Sequence, residues 1–377
     1  MAPNDSAGRR KTARYAVPVA VAGVAAATIG LVPALAASGD PELPEITAQQ
    51  LVEKIAASDA QRMSGTVKVT TDLGLPSLAG LGDLGGLGGA GGAEGGKLME
   101  LASGTHTLRV AADGPDRQRL TFVDDAAEYS LIRNGDDVWA YDGASGEAVH
   151  STGPGARNTP GPELPATPED LVDEALKAVD DTTSVTVDGT ARIAGRDAYQ
   201  LLIKPKQSGS TIGSIKVAVD AEKGVPLKFT LTPSGGGKAA VDAGFTKVDF
   251  GAPAASAFAL PKGAKVTEAP KEAAPSKSAH EGRAEGRAEE LAKGFEDVNV
   301  IGEGWTTVAR LGAPGGEGVP AEAGRFLDVL GDKVSGKFGS GTVFKTRLVN
   351  ALLTDDGKLY AGAVTPERLI AVANGAK

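Results

Sequence analysis

The chain contains no cysteine among its 377 residues. That excludes disulfides, thiolate metal sites, a cysteine nucleophile and an N-terminal lipid-modified cysteine in one step. Aromatic residues make up only 4% of the sequence, so any apolar cavity must be lined by Val, Leu and Ile. Histidine is scarce too: His106, His150 and His280 lie in separate segments, with no HExxH or other metal-ligand spacing. There is no GK[ST] phosphate loop, no glycine fingerprint behind a strand and no GxSxG elbow. A formal net charge of −9 without a clustered basic face argues against a nucleic-acid partner. Acidic pairs occur at Asp124-Asp125, Asp136-Asp137 and Asp355-Asp356. Each sits in a turn, where turn formation and solubility explain it better than acid–base chemistry or calcium. With no catalytic constellation, metal site or cofactor motif, the chain reads as non-catalytic.

The N-terminus carries an export signal. Arg9, Arg10, Lys11 and Arg14 precede an apolar run from Tyr15 to Ala37, with Ala34-Leu35-Ala36 ahead of Ala37. A basic region, an apolar core and a small-residue site in that order make residues 1–37 a secretory signal peptide. The run is also close to the roughly 20 residues needed to span a bilayer, so an uncleaved signal anchor is the alternative. The Ala-x-Ala site and the helix breakers Pro18 and Pro33 favour cleavage. Either way the mature chain is extracytoplasmic, secreted or anchored to the outer face of the cytoplasmic membrane.

The organising stretch is Gly195–Thr232, which reads as an antiparallel meander. Tyr199, Leu201 and Ile203, then Ile215, Val217 and Val219, then Val225, Leu227 and Phe229 alternate with other residues at a period of two. Asp220-Ala221-Glu222-Lys223-Gly224 supplies the second turn, and Pro226 suits a first strand position. Upstream, Thr47 caps a helix running to about Ser58, with Gln50 as its capping-box partner and Leu51, Val52, Ile55 and Ala56 as its apolar stripe. Strands follow at Met63–Thr71, Thr105–Ala111, Arg117–Val123, Tyr129–Arg133, Asp137–Asp142 and Ala148–Ser151, with a tight turn at Asn134-Gly135-Asp136. Thr167-Pro168-Glu169-Asp170 opens a second helix with a stripe of Leu171, Val172, Ala175, Leu176 and Val179. Strands at Ser184–Ala194 and Phe245–Phe250 complete the domain.

Residues 73–96 interrupt a hairpin with a Gly-rich tract in which Leu75, Leu78, Leu81, Leu84 and Leu87 recur every three residues. So much glycine raises the entropy cost of order, which favours a floppy insertion over an apolar lid. Residues 266–292 read as a linker rich in Lys, Glu, Ala and Ser. Residues 295–377 form a small α+β domain: strands at Asn299–Ile301 and Trp305–Leu311, a helix near Ala321–Leu330, a hairpin Thr342–Thr354/Lys358–Val364 turned by Asp355-Asp356-Gly357, and a helix from Thr365-Pro366.

The meander carries a resemblance. Gly195, Tyr199, Leu201, Pro205, Val219, Asp220, Gly224, Pro226, Leu227 and Lys228, in this order and spacing, resemble the LolA-like superfamily of bacterial extracytoplasmic proteins. That superfamily includes the lipoprotein carrier LolA and the N-terminal domain of the MucB/RseB regulators. The passage Asn134-Gly135-Asp136-Asp137-Val138-Trp139-Ala140-Tyr141-Asp142 is similar to the family's Trp- and Tyr-bearing turn, although Trp139 and Tyr141 suit a core or rim better than a ligand box. The likeness spans roughly 46–261. It implies an α+β fold, a strongly curved antiparallel half-barrel with helices packed on its concave side, and a carrier for a lipid or lipoprotein acyl chain in the cell envelope. The expected lipid-facing residues are Val67, Val69, Leu108, Val110, Leu120, Phe122, Tyr129, Leu131, Leu201, Ile203, Val217, Val219, Leu227 and Phe229, any of which could equally be ordinary core. The alternative is a MucB/RseB-like regulator that binds a membrane anti-sigma factor, which the two-domain plan favours. A purely structural envelope protein is a third reading.

Overall fold

The computed structural model describes residues 40–58, 60–74, 103–123, 128–152, 167–177, 179–269, 299–312 and 331–375. The signal segment 1–37, nearly all of the 73–96 insertion, most of the 266–292 linker, Asp124-Asp125, His280 and the helix expected near Ala321–Leu330 lie outside these residues.

The first lobe is one open, curved sheet of twelve strands, not closed into a barrel. Its strands are β1 (Arg62–Asp72), β2 (Ser103–Asp113), β3 (Arg117–Val123), β4 (Glu128–Asn134), β5 (Asp137–Asp142), β6 (Glu147–Thr152), β7 (Thr183–Ile193), β8 (Arg196–Pro205), β9 (Ile212–Asp220), β10 (Pro226–Pro233), β11 (Val241–Asp249) and β12 (Lys265–Glu268). The order across the sheet is β12-β6-β5-β4-β3-β2-β1-β11-β10-β9-β8-β7. Neighbouring strands pair antiparallel except β12, which runs parallel to β6. The closing contact of β1 with β11 brings the two ends of the domain's chain together.

Two helices accompany this sheet among the described residues: α1 (Ala48–Ala56) and α2 (Pro168–Lys177). In α1, Thr47 and Gln50 form the expected reciprocal capping box. Leu51 and Ile55 of α1, with Val172 and Ala175 of α2, share a core with Tyr199, Leu201, Ile203, Ile215, Val217, Val219 and Phe229. Val179 does not join it: α2 ends at Lys177 and Val179 is 39% exposed.

The glycine in the Asp220 turn has a physical reason. Gly224 has φ +72°, and a Cβ there would run into the carbonyl of Lys54 in α1. Ser58 also donates to the carbonyl of Lys223 at 3.0 Å. The turn is thus where α1 lies against the sheet. Gly224→Ala is expected to lose about 2–4 kcal/mol, from left-handed strain plus displacement of the helix, as read by urea unfolding; a change below about 0.5 kcal/mol would mean the turn and helix simply shift apart.

The second lobe is a six-stranded sheet, β13 (Asn299–Ile301), β14 (Val308–Leu311), β15 (Asp332–Gly336), β16 (Gly339–Phe344), β17 (Asn350–Thr354) and β18 (Leu359–Gly362), with α3 (Pro366–Ala373) packed on it. Thr365 caps α3 as expected. Besides β11, which begins at Val241 rather than at the expected Phe245, three boundaries differ from the sequence reading. The strand expected from Trp305 begins only at Val308, because Gly304–Thr306 is a 3-10 turn. The strand expected over Thr342–Thr354 is two strands broken at 345–349, where Thr346 bonds the backbone of Val349 and, through its own N–H, the side chain of Asn350. Thirdly, the start of the expected linker is structured. Lys265–Glu268 pairs in parallel with Glu147–His150, a four-residue strand too short for any periodicity to reveal.

Candidate functional site

Residues directly opposite in a strand pair present side chains on the same face, so the register settles what alternation alone left open. Val69, Ala243, Phe229, Val217, Leu201 and Val187 are successive partners across β1, β11, β10, β9, β8 and β7. On the other side of β1, Gly65, Val110, Leu120, Leu131, Ala140 and Val149 are successive partners from β1 to β6. A parallel row runs Val67, Leu108, Phe122, Tyr129, with the Phe122 and Tyr129 rings tilted and 6.5 Å apart. Tyr199 faces Val219, and Ile203 faces Ile215. Every expected lining residue except Leu227 therefore lies on one face.

Leu227 is displaced by a bulge. The β10–β9 register shifts between Pro226 and Lys228, and Leu227 falls in the cluster of Val67, Val69, Leu108, Ala198, Ala218 and Phe245 rather than in that of Phe229 and Val217. A bulge inserts one unpaired residue and so breaks the period of two.

The shared face has two unlike halves. Over β7–β10 it is sealed by α1, α2 and three residues of the second lobe, Trp305, Leu348 and Ala363. Leu201, Ile203, Val217 and Val219 are fully buried there. The cluster that takes in Val67, Leu108, Val110, Leu120 and Phe122 of β1–β3 also reaches Ala198, Ala218 and Leu227 on β8–β10 and Phe245 on β11, and no helix of the described residues joins it. Val67 and Leu108 are buried at its base, where Phe245 lies over Gly65. Val110, Leu120, Phe122, Tyr129 and Leu131 are half-buried, and Val149 at the far end is 49% exposed. Polar residues border this strip: Gln118 and Arg133 along one side, Asp142 and Glu147 at the opposite corner. Six strands at about 4.8 Å spacing make it about 24 Å long.

The back of β3 and β4 is covered. Ser130, Ile132 and Phe258 are fully buried, the last from the 3-10 turn Ala255–Phe258. Arg119 ties that turn down, donating to the carbonyl of Ala257 at 3.3 Å and to Ser130 Oγ at 3.1 Å, while Thr121 and Ser130 hydroxyls lie 2.9 Å apart. Among the described residues the apolar face of β1–β6 is therefore only partly covered, from its buried base at Val67 and Leu108 to exposed Val149.

His106 lies on the apolar face, opposite Val69 on β1. His150 lies on the back, stacked on Trp139, and bonded to Asp137 and Glu268. Sequence reading missed that cluster, since Glu268 is 118 residues from His150 and no local pattern links them. Asp137, read as a turn residue, is the partner of His150. Among the described residues no group of His, Asp and Glu could hold a metal ion, and no helix is long and apolar enough to cross a membrane.

No family model matches the chain, and no curated protein matches it. Among solved structures it is similar to MucB in the MucA/MucB complex of Pseudomonas aeruginosa, at 16% identity over 86% of this chain and 96% of that one, with a TM-score of 0.41. It is also similar to a LolA superfamily protein from Nitrosomonas europaea, at 11% identity over 57% of this chain and 98% of that one, with a TM-score of 0.23. A putative outer membrane lipoprotein-sorting protein domain from Vibrio parahaemolyticus is similar at 13% identity over 54% of this chain and 91% of that one, with a TM-score of 0.21.

Proposed function

We propose that this chain is an exported, non-catalytic binding protein of the bacterial cell envelope that holds the acyl chain of a lipid or lipoprotein on the β1–β6 face. The observation that carries the reading is the row Val110, Leu120, Leu131, Ala140 and Val149, apolar on every strand, half-buried from β2 to β5 and exposed at Val149. A rigid sheet with a dry strip of this length offers contact to an extended hydrocarbon chain without needing polar recognition. Each CH₂ removed from water contributes about 0.8 kcal/mol, so one or two chains reach useful affinity. The residues deeper in the fold, Leu201, Ile203, Val217, Val219 and Phe229, act as the floor and core of the domain and touch no ligand.

The test is native mass spectrometry, with lipid extraction, of the protein purified from its own host's envelope. A stoichiometric lipid is expected, and Leu131→Asp, at a half-exposed position, is expected to lose it while keeping the wild-type circular dichroism spectrum. Val217 and Leu227 are unsuitable for this purpose because both are fully buried, so a charge there would unfold the domain. Absence of lipid from the wild type would reject the carrier reading. A regulator that binds a membrane protein would then be preferred, a reading favoured by the second lobe's direct participation in the first lobe's core through Trp305 and Leu348.

A further inference from the structure

His150 stands between two carboxylates from the strands on either side of it. Its Nε2 lies 2.9 Å from Oδ1 of Asp137 on β5, and its Nδ1 lies 2.9 Å from Oε1 of Glu268 on β12. Trp139, its direct partner on β5, stacks on the ring at 5.2 Å with the planes 15° apart. β5 and β12 are the two strands flanking β6, and Asp137 and Glu268 are the charged groups that act on the ring from them. A neutral imidazole carries one N–H, so one of its nitrogens would face a carboxylate with no proton between them. Only the imidazolium donates to both.

β12 depends on this arrangement more than a strand usually would. All four of its residues are exposed, so apolar burial contributes little. It is held by the backbone ladder to β6, by the N–H of Lys265 on the carbonyl of Gly146 at 2.9 Å, by the N–H of Ala269 on the carbonyl of His150 at 2.7 Å, and by the Glu268 side chain on His150. It is also the last described strand of the first lobe before the chain resumes at β13 in the second.

We propose that His150 is a proton-operated clasp: as the imidazolium it ties Glu268 to Asp137 and fastens β12 to the sheet, and as the neutral ring it keeps one carboxylate and lets β12 loosen. Release would add residues 265–269 to the connection between the lobes. The hydrogen bond to Glu268 raises the basicity of His150, burial of the ring works against it, and Asp137 raises it further, the net being a pKa above the ordinary histidine value of 6.5. A raised folded-state pKa means that the clasp is fully engaged below about pH 6.5 and is lost as pH rises through the higher folded value.

The experiment is amide hydrogen exchange on the full chain between pH 6 and pH 9, corrected for intrinsic exchange, together with NMR titration of His150. Exchange of 265–269 is expected to accelerate severalfold with pH relative to β3 and β4, as the proton that ties Glu268 to Asp137 is lost. Glu268→Gln, an exposed and isosteric change, is expected to lower the His150 titration point and to flatten the pH dependence at 265–269. Wild-type exchange at 265–269 that does not change with pH, or a pH dependence that persists unchanged in Glu268→Gln, would overturn the proposal.

Discussion

Asp220→Ala is expected to destabilise the protein by about 3–5 kcal/mol, the cost of removing one partner from a buried ion pair. Asp220 is fully buried. It accepts from Arg196 Nε and, at 3.1 Å, from Arg196 Nη2, and from the backbone N–H groups of Glu222 at 3.0 Å and Lys223 at 2.6 Å. One carboxylate therefore neutralises a guanidinium that also stacks over Phe250 at 4.9 Å and closes the turn in which Gly224 receives α1. Removing it leaves Arg196 with only the exposed Glu222 and two N–H groups unsatisfied. Asp220→Asn keeps an acceptor for the turn but not the charge, and is expected to fall between wild type and alanine. Urea unfolding followed by circular dichroism measures both, and a loss below about 1 kcal/mol for alanine would show that the turn does not need its carboxylate.

The same group sets an acid limit. Burial alone would push the Asp220 carboxyl up; the hydrogen bond and charge of Arg196 and the N–H groups of Lys223 and Glu222 outweigh it and hold the pKa below 3.8. A depressed folded-state pKa contributes stability that is present above the unfolded value of about 3.9 and is lost as pH falls through the folded value. The wild type should accordingly lose stability below about pH 4, and Asp220→Asn should show a weaker dependence there.

Trp305→Ala is expected to uncouple the second lobe from the first at a loss of about 3 kcal/mol, the lower end of the range for removing a packed aromatic, because the ring is only partly buried. Trp305 donates from Nε1 to Thr183 Oγ1 at 2.7 Å and from its backbone N–H to Gln207 Oε1 at 3.0 Å, and its ring packs on the core built by α1, α2 and β8–β10. A second attachment lies at Arg347. Its N–H donates to the carbonyl of Leu73 at 2.9 Å, its Nη1 donates to the carbonyl of Asp72 at 3.0 Å and pairs with the Asp72 carboxylate at 2.7 Å, and its Nη2 reaches the carbonyl of Lys238. Thr211 also donates its N–H to the carbonyl of Ala363 at 3.0 Å, and Thr365 its N–H to the carbonyl of Gly209 at 2.8 Å. With Trp305 gone, these hydrogen bonds, Arg347 and the smaller side chains Leu348 and Ala363 should not keep the lobes in one cooperative unit. Chemical unfolding of the variant, followed by the fluorescence of Trp139, the one tryptophan then left, should separate from unfolding followed by circular dichroism. Coincident transitions in the variant would refute the coupling.

Much of the architecture was legible in the chain, and the reasons are local. Tyr199, Leu201 and Ile203 on β8 and Ile215, Val217 and Val219 on β9 alternate as read, because a pleated strand buried on one face imposes a period of two. Thr47 with Gln50, and Thr365 with Pro366, announced two helix starts, because a cap is a contact between residues three apart. Gly224 marked a turn because it adopts a positive φ. The candidate face was legible in part. Its residues could be named, but which of them are floor and which are open surface could not, since that depends on where α1, α2 and the second lobe come to rest.

By itself, then, the sequence determined the elements whose cause lies within a few residues: strands, caps, turns, the absence of cysteine chemistry and the resemblance carried by 195–228. Only the tertiary structure decided what depends on chain segments far apart. It turned Leu227 away from Phe229 at a bulge, and it made Val266, read as linker, part of a strand on β6. It also brought Glu268 to His150 and Arg347 to Asp72. It covered the β7–β10 half of the apolar face with α1 and α2 and set no helix of the described residues in the cluster of the β1–β3 strands. The physical reason is common to all of these: pairing register, ion pairing and burial are properties of contacts, and a contact between distant residues leaves no trace in the local order of either segment.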